Sequence, residues 1–181
     1  LGKQAFERTC GFDSHRFRSE KYMKNECLFC EIYVQGKEVF FENEYFYARF
    51  DRFPISPGHS EIIPKRHMLS IFDLTVEEWV SLNEALRKTD LIIESTDLKR
   101  VYEELAKKPL NEAAAHYYEK MLSHVGLGKK PDGYNFRNND GLAAGRTVHH
   151  LHIHVIPRFL GDVEDPRGGI RNIIPGIGEY K

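Results

Sequence analysis

The chain has 181 residues, a length that suits one compact domain with a real core. Lys and Arg total 26 against 27 Asp and Glu, so the formal net charge is −1 and no polyanion-binding field covers the whole surface; a nucleic-acid partner is not implied. No run approaches the roughly 18 apolar residues that span a bilayer, and no apolar signal core follows the first basic residues, so a soluble, cytoplasmic protein without a membrane partner is expected. Residues 1–25 are charged and polar with no sustained period and read as an arm, leaving 26–181 as a single domain. Val39 to Phe41 and Tyr45 to Phe50 are aromatic and β-branched around a short Glu-Asn-Glu turn, the pattern of a hairpin. Ser56-Pro57-Gly58 is a turn, and His59 to Ile63 a third strand.

Thr75 followed three residues later by Glu78 is a capping box, with Val76, Trp79, Val80, Leu82 and Leu86 at helical spacing, so a helix runs from there to about Glu94. Asp97 and Asn111 are N-caps for two further helices, one ending before Pro109 and one stopping at Gly126; together they form a helical insertion over 96–130. Tyr134 to Asn138 and Val148 to Ile156 read as the last strands, joined through Asn139-Asp140-Gly141. The expected class is α+β, an antiparallel sheet of about five strands with the Thr75 helix on one face.

Two of the three cysteines, Cys27 and Cys30, form a C-x-x-C pair, which suits redox chemistry or a metal site; no βαβ pattern surrounds it to favour a thioredoxin-like role. The segment His150-Leu151-His152-Ile153-His154-Val155-Ile156 alternates imidazoles with branched apolar residues. On a strand the three histidines would share one face, spaced by about 6.5 to 7 Å, close enough for neighbours to meet different oxygens of one phosphate. A solvated surface strand or a three-histidine metal centre are the alternatives.

This segment matches the histidine triad motif at all seven positions, and the chain resembles that family beyond it: Cys27-Leu28-Phe29-Cys30-Glu31-Ile32 is similar to the family's opening segment, Pro57-Gly58-His59 with Ile63-Pro64-Lys65-Arg66-His67 to its second block, and Asn135 to His154 to its third. The resemblance implies a hydrolase or transferase acting at the α-phosphate of a purine nucleotide, with His152 as nucleophile, His154 at the phosphate or leaving group, and His59 fixing ring orientation. An imidazole suits the role because its neutral form is nucleophilic at neutral pH and its phosphoramidate is reactive enough for water to clear. Asp51 matches the position that binds ribose hydroxyls, Phe50 and Ile32 the walls of the purine pocket, and Asn139 lies in the block that meets the nucleotide. Arg146 and Thr147 are placed to clamp phosphate oxygens, Arg146 standing where many members carry glutamine.

The resemblance further implies a structural zinc held by Cys27, Cys30, His67 and His150, magnesium arriving only with a polyphosphate substrate, and a homodimer formed through the main helix and a sheet edge. Ile156-Pro157-Arg158 and the Gly161 to Gly169 tail resemble members acting on diadenosine polyphosphates, the leading substrate class. Nucleoside phosphoramidates are the runner-up, and a non-catalytic nucleotide- or partner-binding module the rival of a different class.

Overall fold

The computed structural model describes residues 27–36, 38–169 and 171–174; the arm over 1–25 lies outside the described residues. A five-stranded antiparallel sheet has the order β1-β2-β3-β5-β4. Its strands are β1 (Val39–Glu42), β2 (Phe46–Phe50), β3 (Ser60–Pro64), β4 (Gly133–Arg137) and β5 (Ile153–Arg158). The α+β class and five strands expected from the sequence are therefore observed.

The main helix α2 (Val76–Ser95) begins where the capping box places it: Thr75 Oγ1 accepts the Glu78 N–H at 3.2 Å and Glu78 Oε2 accepts the Thr75 N–H at 2.8 Å. The insertion folds as α3 (Leu98–Lys107), capped by Asp97, and α4 (Glu112–Leu122), capped by Asn111. Each cap carboxyl or amide oxygen accepts the N–H three residues on, satisfying a donor that the first helical turn cannot. An element not expected from the sequence is the short helix α1 (Leu28–Gln35), which has no side-chain N-cap and stops at Gly36, whose φ of 60° is the left-handed conformation that favours glycine.

Period-two alternation sorts the strand residues onto two faces. Phe46, Ala48, Ile62, Ile153 and Val155 join Leu82, Ala85 and Ile93 of α2 and Leu98, Tyr102, Ala114, Tyr118 and Met121 of the insertion in one core. The opposite face gathers Tyr47 and Ile63 with Cys27, Phe29 and Ile32 at the start of the chain's described part. The helical insertion is thus built into the main core. Among the described residues no helix is long and apolar enough to cross a membrane.

The final strand starts later than the alternation suggested. Residues 148–152 turn before β5: His150 N–H donates to Val148 O at 2.9 Å and Leu151 N–H to Met68 O at 2.7 Å, bonds that a ladder through Val148 would not allow. The three histidines consequently do not line one strand face.

Candidate active site

His152 is buried just ahead of β5, and its Nδ1 lies 2.8 Å from the His150 carbonyl oxygen. A carbonyl only accepts, so Nδ1 carries the proton and the neutral ring holds its lone pair on Nε2. Burial pushes its pKa below the ordinary 6.5, only partly opposed by the carbonyl bond, and the nearby charges of His154 and Arg146 act in the same direction as burial. The Phe29 ring packs against it at 5.1 Å between centroids and the His154 ring at 5.0 Å.

His154, on β5, meets His59 across the sheet with Nδ1 3.0 Å from His59 Nε2. The Ile55 N–H approaches His59 Nδ1 at 3.4 Å, which makes Nδ1 an acceptor and leaves His59 Nε2 as the donor to His154. Asp51 Oδ2 stands 3.5 Å from both of these nitrogens, while its Oδ1 accepts the Phe53 N–H at 2.7 Å. Burial pushes the Asp51 carboxyl up, but its contacts with the His154 and His59 rings and the Phe53 amide outweigh it and hold it at about 2. Burial pushes His59 down to about 4, so it is neutral at physiological pH.

His150 turns away from these groups. Its Nε2 lies 2.9 Å from Pro64 O, which fixes the proton there and directs the Nδ1 lone pair to Cys27 Sγ at 3.3 Å and Cys30 Sγ at 3.5 Å. His67 Nδ1 lies 3.5 Å from Cys30 Sγ, and its buried Nε2 has no hydrogen-bond partner among the described residues. The four donor atoms fall within 4.8 Å of one another. Zinc bonds of about 2.3 Å to sulfur and about 2.0 to 2.1 Å to nitrogen give a tetrahedral S-to-N edge of about 3.5 Å, so this donor set has the size and tautomer that a Cys2His2 zinc centre requires.

The remaining residues singled out from the sequence separate into those the structure brings to the histidines and those it does not. Ile32 is buried in the cluster on the site face. Phe50 is not on that face: it packs against the main core and pairs with Phe40 at 4.7 Å, so the purine-wall expectation for it is corrected. Alternation from Asp51 puts Arg49 on the site face instead. Arg146 is neither solvated nor free, since its Nη2 donates to Leu69 O at 2.7 Å and Asp140 Oδ1 at 2.8 Å, joining two loops. Thr147 is exposed, and Asn139 Oδ1 accepts Arg137 Nε at 3.0 Å.

Sequence reasoning missed Glu61, a buried carboxyl whose oxygen lies within 4.8 Å of nitrogens of His152 and His154. Burial pushes it up to about 7, Asp51 adds to the shift and Arg49 opposes it. A charged residue within the apolar run of β3 was the available signal.

The HIT domain family model matches residues 34–161. The chain belongs to the HIT family. HIT relatives include an uncharacterized HIT-like protein of Methanocaldococcus jannaschii, 28% identical over 81% of this chain and 91% of that one. They also include a bis(5'-adenosyl)-triphosphatase of Dictyostelium discoideum, 32% identical over 73% of this chain and 67% of that one. Among solved HIT structures, a zinc-bound histidine triad family protein from Mycobacterium smegmatis is similar with a TM-score of 0.50 and 25% identity, covering 80% of this chain and 83% of that one.

Proposed function

We propose that this HIT protein is a nucleotide hydrolase or transferase that works at the α-phosphate of a purine nucleotide through a nucleotidyl group carried on His152, with diadenosine polyphosphates as the leading substrate class. The observation that carries the reading is the His152 ring, locked by its Nδ1 bond to His150 O so that Nε2 presents a lone pair beside His154. The Dictyostelium relative's name supports the substrate class.

In the first step His152 Nε2 bonds to the α-phosphorus, and the bond from phosphorus to the leaving oxygen breaks. His154 enters this step as the imidazolium, with Asp51 Oδ2 3.5 Å from its Nδ1, gives its Nε2 proton to the leaving oxygen and is left neutral. In the second step water attacks the same phosphorus, gives its proton to His154, and the N–P bond breaks to restore the His152 lone pair. Asp51 holds the His59 and His154 pair from one side and is the group proposed to meet the ribose hydroxyls.

Cys27, Cys30, His67 and His150 are proposed to hold zinc, which would cross-link the opening helix to the loops before α2 and β5; magnesium would arrive only with a polyphosphate. The exposed Val76, Trp79 and Val80 on α2 and the edge position of β4 support the proposed homodimer. Rapid mixing with labelled substrate, alkaline denaturation and peptide mapping tests the mechanism. Label on His152, with His152→Ala losing several orders of magnitude in kcat while still binding nucleotide, is the expected result. Label on another residue, or wild-type turnover by His152→Ala, overturns it.

A further inference from the structure

Arg49, Glu61 and His154 stand at one level of the sheet, Glu61 being the Cα partner of Arg49 across β2 and β3 and of His154 across β3 and β5. Residues directly opposite in antiparallel strands point to the same face, so the Glu61 carboxyl lies between a guanidinium and a site histidine. Along β3 the same face carries His59 on one side of Glu61 and Ile63 on the other, and Ile63 belongs to the cluster with Phe29 and Ile32. Glu61 therefore sits at the boundary between the reacting histidines and an apolar wall.

Its side chain is only 9% exposed, and among the described residues no hydrogen bond reaches it; Arg49 Nε stands at 3.8 Å, beyond hydrogen-bond range. Arg49 is committed elsewhere, with Nη2 3.1 Å from Glu38 and Nε donating to Phe50 O at 3.2 Å, while Arg52 grips the same Glu38 at 2.8 and 3.0 Å. A buried carboxyl without donors is costly unless something else supplies them. Phosphate cannot, because it brings only acceptors and negative charge. A planar base joined through its sugar to a phosphate at His152 can, if it lies along the Phe29 and Ile32 wall and turns an N–H edge to Glu61.

A carboxylate has two acceptor oxygens side by side, which match two adjacent donors. Guanine offers such a pair in N1–H and the 2-amino group, whereas adenine sets its amino group beside the acceptor N1. Resting on the α-phosphate chemistry proposed above, and replacing its diadenosine substrate class with guanine nucleotides, we infer that Glu61 is the base-reading residue of this site and selects guanine over adenine.

The test is calorimetric titration of GMP, IMP and AMP at pH 8 into wild type and Glu61→Gln. Wild type should bind GMP about tenfold or more tighter than AMP, with IMP, which lacks the 2-amino donor, weaker than GMP by about tenfold. Glu61→Gln should weaken GMP by about tenfold to a hundredfold and AMP by less than about threefold, erasing the preference. The GMP and IMP comparison needs no variant, so it decides the matter even if Glu61→Gln folds poorly. AMP binding as tightly as GMP, IMP matching GMP, or equal losses for all bases in the variant would overturn the role of Glu61 and leave the nucleotide reading standing. Absence of both binding and turnover with every nucleotide overturns the two together.

Discussion

The Tyr102 hydroxyl accepts the Gly58 N–H at 2.9 Å, tying helix α3 of the insertion to the residue that precedes His59. Gly58 has a φ of 83°, and a Cβ there would lie 2.8 Å from Ile93 Cγ2 and 3.3 Å from Leu98 and Pro157 side-chain atoms. Ser56 Oγ donates to Pro157 O at 2.5 Å from the other side of the same loop. The turn between Asp51 and His59 is thus braced at once by α2, α3 and the end of β5.

Tyr102→Phe removes the acceptor and leaves a buried amide without a partner, so a loss of about 1 to 3 kcal/mol in urea unfolding is expected. Gly58→Ala should cost at least as much, because it combines a left-handed φ with a clash on side chains of a packed core. Unchanged stability in both would mean that the insertion does not brace this loop.

Purified protein is expected to hold about one zinc per chain by elemental analysis. Cys27→Ala should lose the metal and lower the melting temperature, and a chelator strong enough to strip zinc should do the same to the wild type. Metal-free protein after gentle purification, or a Cys27→Ala chain with unaltered metal content and melting temperature, counts against the site.

Glu61 predicts an unusual pH dependence of stability. Its folded pKa, pushed up to about 7, lies above the unfolded carboxyl's ordinary value, so the folded state binds more protons between the two. The associated stability is complete below the unfolded pKa and is lost as pH rises toward and through 7. Glu61→Gln cannot ionise; its unfolding free energy relative to wild type should climb between about pH 4.5 and 7 and then level off, by an amount on the order of 1 to 3 kcal/mol. A difference that is flat over this range would show that Glu61 is not held neutral by burial.

Asp51 is tested through the sugar. A carboxylate bridging two ribose hydroxyls contributes about 1.5 to 3 kcal/mol, so Asp51→Ala should weaken ribonucleotides about tenfold to a hundredfold and 2′-deoxyribonucleotides much less. Because Asp51 also contacts His59 and His154, equal losses for both sugars would assign it to holding the histidine pair alone.

The helices after the third strand were legible because their starts are written in local chemistry: Thr75 with Glu78, Asp97 and Asn111 each satisfy N–H groups within three residues. The strands were legible from β-branched and aromatic runs, with their ends displaced by one or two residues. The start of β5 was not, since histidine alternation from His150 to His154 mimics a strand while the backbone bonds from His150 N–H to Val148 O and from Leu151 N–H to Met68 O turn the chain before it. Helix α1 escaped because eight residues without a side-chain cap leave no local signature. Within the site, the misplacement of Phe50 shows how a one-residue parity error moves a side chain to the wrong face; counting by twos from Asp51 reaches Arg49, and the charged row through Glu61 follows from pairing that no single strand reveals.

His150 faces in two chemical directions. Its imidazole belongs to the cysteine cluster, 123 residues from Cys27 in sequence, while its carbonyl oxygen is the acceptor that orients His152. Both bonds issue from one residue, so what fixes the His150 ring at the cysteines also fixes, through the carbonyl of the same residue, the direction in which the His152 ring points.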